Sequence, residues 1–333
     1  MLLCANAALE ENKQRINELN VFPVPDGDTG TNMSLTMNSA AIELGRKQTD
    51  TVGAVADCAA SALLRGARGN SGVILSLLFR GIAKSLKGRE NANAAEFAAA
   101  VSAGVDAAYK AVMKPAEGTV LTVSRCASEA AVERSKAGVT DIEELLTDAL
   151  AVARETLAKT VDMNPVLKKA GVVDAGGQGY VVILNAMLLC LQGKFVAKAP
   201  VTETKTSAEF SAINDEEITF TYCTEFIASR KDKARNVARL RSILNEIGDS
   251  LVVVEDDDIV KVHVHTDQPN KALEEGLKFG PLLTVKIENM REQHTAKVIE
   301  GTADAPKERV IVPAEKKFGF VAVAAGEGLK TLF

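Results

Sequence analysis

Aromatic side chains are scarce in this sequence, which has no tryptophan and only 4% aromatic residues among its 333 positions. Alanine is frequent instead, and small side chains allow helices to pack closely, which favours a helical first half. Positive charge is not in excess either. The net charge of -5, with no basic stripe interleaved with aromatics, argues against broad nucleic-acid binding.

Cysteines and long hydrophobic runs are also few. The five cysteines are odd in number and scattered, which excludes a disulfide framework and suits a reducing cytoplasm. The longest apolar run, 180–191, contains Asn185 and is far too short to span a membrane. A chain of this length suits about two domains. We therefore predict a soluble, cytoplasmic protein without an integral membrane segment.

Helical periodicity dominates the first half of the chain. It predicts helices at 51–64, 72–86, 93–112, 120–136, 141–160 and 178–191. Because no strand alternation occurs before residue 200, we predict that residues 1–195 form an all-α domain. Residues 196–214 contain Pro200 and many Thr, Ser and Lys residues, and this change of composition predicts a linker.

The pattern changes to strands alternating with helices in residues 215–300. The predicted order is β-α-β-β-α-β, with strands at 217–228, 250–255, 259–266 and 281–288 and helices at 232–247 and 269–279. This is the order of a ferredoxin-like α+β domain. Residues 301–333 begin with a charged, proline-containing stretch and end with a strand, 318–324, that enters a helix. We expect a linker there, followed by the truncated start of a third domain.

The most informative motif is NVFPVPDGDTGTNM, in which two prolines stiffen the approach to Asp26 and Asp28. Magnesium prefers oxygen ligands, often one or two carboxylates together with substrate phosphates. The motif therefore predicts a magnesium–nucleotide site, although a solvated Asp-Gly turn is the alternative. Polar side chains that follow the two acids suit phosphate oxygens, namely Thr29, Thr31 and Asn32.

Two further glycine-rich segments, GARGNSG and VDAGGQG, each precede an apolar helix. Free backbone N–H groups and the helix dipole favour anions at such positions, while a plain glycine-rich helix cap is the alternative. If both segments meet the first motif at one end of a helical bundle, they form one nucleotide site. Its candidate residues are Gly69, Asn70, Ser71, Gly72, Asp174, Gly176 and Gly177.

Together these three motifs resemble the dihydroxyacetone kinase L-type domain and, more closely, the catalytic chain of bacterial fatty acid kinase. The resemblance implies an eight-helix barrel that binds ATP and magnesium at one end, with Asp26 and Asp28 as metal ligands. Where dihydroxyacetone kinases carry a third Asp, this sequence has Asn20, one residue out of step. The implied phosphate contacts are Thr31, Asn32, Asn70, Ser71 and Gly72, with Asp174 in the last nucleotide loop.

The resemblance also implies a reaction. ATP would phosphorylate the carboxylate of a fatty acid presented by a fatty-acid-binding protein, and the acyl phosphate would serve phospholipid synthesis. A carboxylate needs no strong general base, which fits a helical half that contains no histidine. Alternatives are a small-molecule kinase of the dihydroxyacetone type and a nucleotide-binding regulator without turnover. In the family, the third domain docks the fatty-acid-binding protein.

A second cluster is predicted in the α+β domain, where His263 and His265 lie two residues apart on a strand and so share a face. In the ferredoxin-like order this strand lies beside the first strand, which carries Cys223. One Cys and two His suit zinc with a fourth position open, whereas a Cys–His nucleophilic pair and a buried Cys near two surface histidines are alternatives. The resemblance implies zinc. We also expect an open sheet face that would suit a homodimer.

Overall fold

The computed structural model of the chain describes residues 1–47, 49–195, 219–231 and 233–292. The predicted linker 196–214 and the segment 301–333 therefore lie outside the described residues. Within these ranges, no helix combines the length and the apolar composition needed to cross a lipid bilayer.

The described residues up to 195 are helical, as predicted. They form α1 (Leu2–Asn17), α2 (Thr29–Arg46), α3 (Val52–Gly66), α4 (Gly69–Leu86), α5 (Ala94–Ala111), α6 (Val120–Lys136), α7 (Ile142–Met163), α8 (Pro165–Ala170) and α9 (Ala175–Leu191). Polar side chains cap several of these helices, and Asn93 forms a capping box with Glu96 at the start of α5. The predicted starts of α4 and α9 were three residues late, because their first turns consist of glycine-rich sequence that is typical of loops.

The eight long helices close into a ring. Each packs against the next, the six-residue α8 lies against α7, and α9 packs against α1. The predicted eight-helix barrel is therefore confirmed. Near the closure, Cys4 in the first turn of α1 and Cys190 in the last turn of α9 are close enough to influence each other's pKa, so the first and last turns of the barrel lie together.

The second part of the chain has the predicted β-α-β-β-α-β order. Its elements are β1 (Tyr222–Ser229), α10 (Val237–Ile247), β2 (Gly248–Glu255), β3 (Ile259–Thr266), α11 (Pro269–Leu277) and β4 (Leu282–Asn289). The strands form one sheet in the order β2-β3-β1-β4, with every neighbouring pair antiparallel. The ferredoxin-like prediction is therefore confirmed.

One face of the sheet is covered by its own two helices. Phe226 on β1 is 1% exposed and packs in a core with Leu240 and Leu244 of α10 and Ala272 of α11. Residues of the same face at the centre of the sheet, including Val262, are buried in this core as well. Burial of this apolar face holds the two helices on the sheet.

The opposite face is covered by the helical barrel, so the predicted open sheet face is limited to the edge strand β4, where Leu283, Val285 and Ile287 are exposed. Ile227, Val252, Val254 and Ile259 on this face belong to the same hydrophobic core as the helical barrel. The helical barrel and the sheet therefore share buried apolar surface, and they lie in one compact unit. We call this contact between the helical barrel and the sheet the seam. Two polar connections reinforce it: a backbone bridge between Val112 and Val252, and an ion pair of 3.2 Å between Arg80 and Asp256.

Candidate active site

A cavity of 480 Å³ lies where the helical barrel meets the sheet. Its lining includes Asp26 and Asp28 from the barrel side and Cys223, His263 and His265 from the sheet side. The two clusters that the sequence predicts in separate domains therefore face one space. This also corrects the idea of a nucleotide site without histidine, because the fold brings in two from the second part of the chain.

Four helices begin at this cavity. Thr29 of α2, Gly69 of α4, Val120 of α6 and Gly176 of α9 all line it, and each lies in the first or second position of its helix. Helix N-termini carry free N–H groups and the positive end of the helix dipole, so four of them together make a strong anion site. The structure thus brings the three glycine-containing motifs to one place. It adds the start of α6, which the sequence analysis did not include in the site.

Asp26 and Asp28 lie side by side at the start of α2. Burial and the neighbouring Asp28 charge raise the pKa of Asp26 well above its usual range, and the Cys223 thiolate across the cavity adds to this effect. Burial also raises the pKa of Asp28, against the hydrogen bond that it receives from Asn32. Two enclosed carboxylates without a bound cation are electrostatically costly, and a divalent cation with oxygen preference fits this donor pair.

Asn20 holds the motif together from inside the loop. Its side-chain amide donates to the carbonyl oxygen of Val24 at 2.6 Å, and its oxygen accepts from the backbone N–H of Thr29 at 3.0 Å and from the Thr29 hydroxyl. Asn20 lines the cavity but is only 2% exposed. Its hydrogen bonds therefore fix the shape of the loop that carries Asp26 and Asp28.

Thr31 lies away from the cavity. Its hydroxyl accepts from the Asn17 amide at 2.9 Å, and its backbone N–H donates to the Asn17 oxygen at 3.0 Å. Thr31 is not part of the cavity lining. Because α2 already begins at Thr29, the Thr31 side chain points toward α1, so the structure gives it a role in helix packing rather than in phosphate contact. Asn32 does line the cavity and bonds to Asp28.

At the start of α4, Gly69, Asn70 and Ser71 line the cavity, but Gly72 does not. Gly69 has a positive φ of 58°, a conformation that suits glycine. A Cβ atom at Gly72 would overlap the buried Thr36 hydroxyl on α2. The structure therefore gives Gly72 a packing role: it allows α2 and α4 to approach closely beside the site.

Replacing Gly72 by alanine is expected to lower the free energy of unfolding by about 1–3 kcal/mol through overpacking. Thr36 cannot move easily, because its hydroxyl donates to the Asn32 carbonyl at 2.6 Å and accepts from the Arg68 N–H at 3.2 Å. Gly45→Ala is the matched control, since no atom lies within 4 Å of the position that a Cβ would occupy there; helix propensity should make it neutral or stabilising by up to about 1 kcal/mol. Urea unfolding followed by circular dichroism measures both, and equal stability of the two variants would contradict the prediction.

Asp174 caps α9. Its carboxylate accepts from the Gly177 N–H at 2.6 Å, and its own N–H donates to the Thr160 hydroxyl at 3.0 Å. Burial raises the pKa of Asp174 to about 7, although hydrogen bonds from backbone N–H groups oppose the rise. Asp174 and Gly176 line the cavity, whereas Gly177 lies behind them and serves the cap.

Cys223, His263 and His265 come together on the sheet face that meets the barrel. Cys223 pairs with His265 across β1 and β3, and one ligand atom from each of the three residues lies within 4.8 Å of the others. The Nε2 atoms of the two histidines are 3.2 Å apart, and the Cys223 sulfur is 3.9 Å from Nδ1 of His263. This donor set, one thiol and two imidazoles, suits zinc.

Two carboxylates that the sequence analysis missed support the histidines. Glu225 lies 2.8 Å from Nδ1 of His263, and Asp249 lies 3.5 Å from Nδ1 of His265. A carboxylate behind each imidazole is the usual outer shell of a metal site. A register shift in β2 between Asp249 and Val252 accompanies this placement. The period-two pattern of β1, which puts Glu225 on the face of Cys223, was the available signal.

The charges within this cluster reinforce one another. Burial would lower the pKa of His263, but the Cys223 thiolate and the Glu225 carboxylate raise it to about 10. Burial would raise the pKa of Glu225, but His263 lowers it to about 2. Against burial, the two histidines lower the pKa of Cys223 to about 7. In the metal-free cluster a Cys223 thiolate therefore faces a protonated His263, and zinc would have to displace that proton in order to bind.

The family follows from comparison with known proteins. The family model described as the DAK2 domain matches residues 23–189, about half of the chain. The chain belongs to the DAK2 domain family. A second model, which describes the middle domain of FakA-like fatty acid kinases, matches residues 219–297. These two matches support a phosphotransferase.

Relatives of this DAK2-family chain are longer than the chain itself. Protein YloV of Bacillus subtilis is 43% identical over all of the chain and 62% of its own length. An uncharacterized protein of Staphylococcus saprophyticus is 39% identical, again over all of the chain and 62% of that protein. The crystal structure of the dihydroxyacetone kinase of C. freundii aligns with a TM-score of 0.45 at 19% identity, over 57% of this chain and 33% of that one.

The DAK2-family chain also places cations at the cavity. Lys114 follows α5 and lines the cavity, as does Lys286 of β4, which is paired with Glu288 at 2.7 Å. Two other cations of the barrel lie outside the cavity lining: Arg125 bonds to Tyr109 and Glu117, and Lys168 pairs with Asp162. Sequence reasoning missed Lys286, because its strand reaches the site only through the packing of the sheet.

Proposed function

We propose that this chain is the catalytic part of an ATP-dependent kinase that phosphorylates the carboxylate of a fatty acid. The acid would be presented by a fatty-acid-binding protein, and the acyl phosphate would serve phospholipid synthesis. One observation carries the proposal: the acidic loop, four helix N-termini and the Cys–His–His cluster line a single cavity. The match of residues 219–297 to the middle domain of FakA-like fatty acid kinases favours a fatty acid as the acceptor.

On the donor side, Asp26 and Asp28 would hold magnesium, with Asn32 orienting Asp28. Magnesium supplies neutralisation of the triphosphate charge when it is bound. The N–H groups at the starts of α4 and α9 would bind the phosphate oxygens and keep the γ-phosphate in line. Asn20 and Asp174 would serve this side indirectly, through the loop and cap hydrogen bonds that they make.

On the acceptor side, a carboxylate oxygen would attack the γ-phosphorus while the bond to the ADP oxygen breaks. The attacking oxygen already carries negative charge, so no residue has to remove a proton from it. Cys223, His263 and His265 would hold zinc, which supplies an open coordination position when it is bound. Lys114 and Lys286 would reduce the repulsion between the carboxylate and the phosphates.

Two other functions are compatible with ATP binding. One is a dihydroxyacetone-type kinase, which uses a histidine to hold its substrate. The two histidines that line this cavity belong to the cluster assigned to zinc, which disfavours that use. The other is a regulator that binds ATP without turnover. The enclosed acidic pair and the four helix N-termini suit ATP binding in both cases, so turnover is the property that separates this role from catalysis.

Trapping with hydroxylamine tests the proposal. The chain is incubated with MgATP and a fatty-acid-binding protein loaded with a long-chain fatty acid, and acyl hydroxamate is measured. The fatty acid proposal predicts hydroxamate that depends on ATP and on the loaded carrier. ADP release that depends on dihydroxyacetone would favour the small-molecule kinase, and ATP binding without turnover on either acceptor would favour the regulator.

We also propose a cytoplasmic homodimer. All five cysteines, each within the described ranges, are free thiols, which suits a reducing compartment. With one sheet face covered by the barrel, the remaining apolar surface of the sheet is the edge strand β4, where Leu283, Val285 and Ile287 are exposed. A monomer mass measured by light scattering at micromolar concentration would contradict the proposed homodimer.

A further inference from the structure

Lys261 is a buried cation that none of the proposed chemistry uses. It lies on β3, on the sheet face that meets the helical barrel, and is only 3% exposed. Its Nζ atom donates a hydrogen bond to the carbonyl oxygen of Ala67. Burial lowers the pKa of Lys261 to about 8, with Glu225 opposing the shift and Arg68 adding to it. A buried lysine is costly, so its position on a face otherwise used for packing or for the Cys–His–His cluster calls for an explanation.

The bond reaches the connection that leads into the phosphate side of the cavity. Ala67 is the C-cap of α3, and α4 begins two residues later at Gly69. The last carbonyls of a helix have no partner within the helix, so a lysine here satisfies an orphan acceptor. The next residue, Arg68, donates its N–H to the Thr36 hydroxyl on α2 at 3.2 Å. The short connection is therefore held from the barrel by Thr36 and from the sheet by Lys261.

Lys261 also adjoins the second half of the site. Glu225, whose charge acts on Lys261, is the carboxylate 2.8 Å from Nδ1 of His263. The lysine thus lies between the acid that orients a histidine and the backbone that leads into Gly69, Asn70 and Ser71. Its single side chain bridges the two parts of the cavity wall, which come from different regions of the sequence.

We propose that Lys261 is a positioning residue that fixes the α3–α4 connection against the sheet and thereby holds the first turn of α4 in place to bind phosphate. The inference deepens the proposed function and rests on it for the identity of the bound phosphate. Because β3 contacts the end of α3, the sheet affects nucleotide affinity by positioning the start of α4. Lys261 does this without touching the ligand.

Hydrogen exchange and calorimetry on Lys261→Met test the inference. Methionine keeps much of the length of the side chain but loses its charge and donors. Without nucleotide, the amides of Arg68 and Gly72 should exchange about tenfold faster or more, because a hydrogen bond from a charged donor is lost. The Kd for MgATP should rise about tenfold for the same reason, while zinc content and circular dichroism stay at wild-type values. Lys261→Arg, which keeps the charge and a donor, should restore slow exchange and ATP affinity.

Asp256→Asn is the matched control. It removes the Arg80–Asp256 ion pair, which crosses the same seam but is about one-third exposed on each side and lies outside the cavity lining. Exchange at Arg68 and Gly72 should then stay unchanged. If Lys261→Met fails to fold, Lys261→Gln replaces it with the same expected directions.

Unchanged exchange in the Lys261 variant, or faster exchange with unchanged MgATP affinity, would overturn the positioning role. Equal effects of Asp256→Asn would do so as well, because they would show a general loosening of the seam. If the wild-type chain binds no MgATP at all, the proposed function fails, while the exchange measurement still decides whether Lys261 holds the connection.

Discussion

Replacing Asp28 by asparagine is expected to abolish magnesium-dependent ATP binding. Asparagine is close in size and is itself a good N-cap residue, so α2 should still begin at Thr29. What it removes is one of the two carboxylates that line the cavity side by side. We expect the Kd for MgATP to rise by more than about 100-fold, since loss of mere outer-shell partners already weakens metal binding by about 10- to 100-fold.

Titration calorimetry with and without magnesium measures this effect. Asp57→Asn, at an exposed carboxylate on α3, is the control and should bind MgATP as the wild type does. ATP that binds equally well without magnesium, or an Asp28→Asn chain with full affinity, would mean that the acidic loop is not the metal site. The proposed function would then lose its donor side.

Zinc content is expected to depend on Cys223, His263 and His265 together. Protein purified without a histidine tag should contain about one zinc per chain, because the described part of the chain offers one set of three ligands. Alanine at any of the three positions should reduce this to a small fraction, because the remaining two ligands hold the metal poorly. Elemental analysis after dialysis gives the stoichiometry directly.

Two further variants make the zinc measurement more specific. Glu225→Gln removes the charge behind His263 without touching a ligand, and is expected to weaken zinc binding by about 10- to 100-fold in competition with a chelator. Cys58→Ala, at a buried cysteine of α3, should leave zinc content unchanged. Substoichiometric zinc in the wild type that does not change in Cys223→Ala would reject the zinc assignment.

Local pattern predicted much of the fold. Helical periodicity placed α5, α6 and α7 within three residues of their ends, and β3 was predicted at its observed bounds. These elements carry uninterrupted apolar spacing with polar caps, which are properties of the local chain. The starts of α4 and α9 were predicted too late, because glycines are typical of loops although their backbone is helical here. The starts of β1 and α10 were predicted five residues too early. Thr31 was likewise predicted to contact phosphate because of its place in the motif. Its helix face instead turns it toward α1.

The site itself was only half predictable. The shared face of Cys223, His263 and His265 follows from strand period and sheet order, which the sequence contains. The contribution of Lys286 and the bond from Lys261 to Ala67 require the docking of the sheet on the barrel, a contact between residues nearly 200 positions apart. Such long-range packing leaves no periodic signal in a single sequence. For the same reason, the sequence does not indicate that the barrel covers one face of the sheet, and we expected an open face there.

The closure of α9 on α1 has a consequence for how such a barrel can be joined to other modules. Its first and last turns lie together, where the Cys4 and Cys190 thiols meet. A chain can therefore enter and leave the barrel at one place, without a segment crossing its surface, and domains with adjacent ends tolerate insertion and circular permutation. A permuted barrel that starts at α2 and joins α9 to α1 by a short loop should keep its helical ring and bring the same four helix N-termini together.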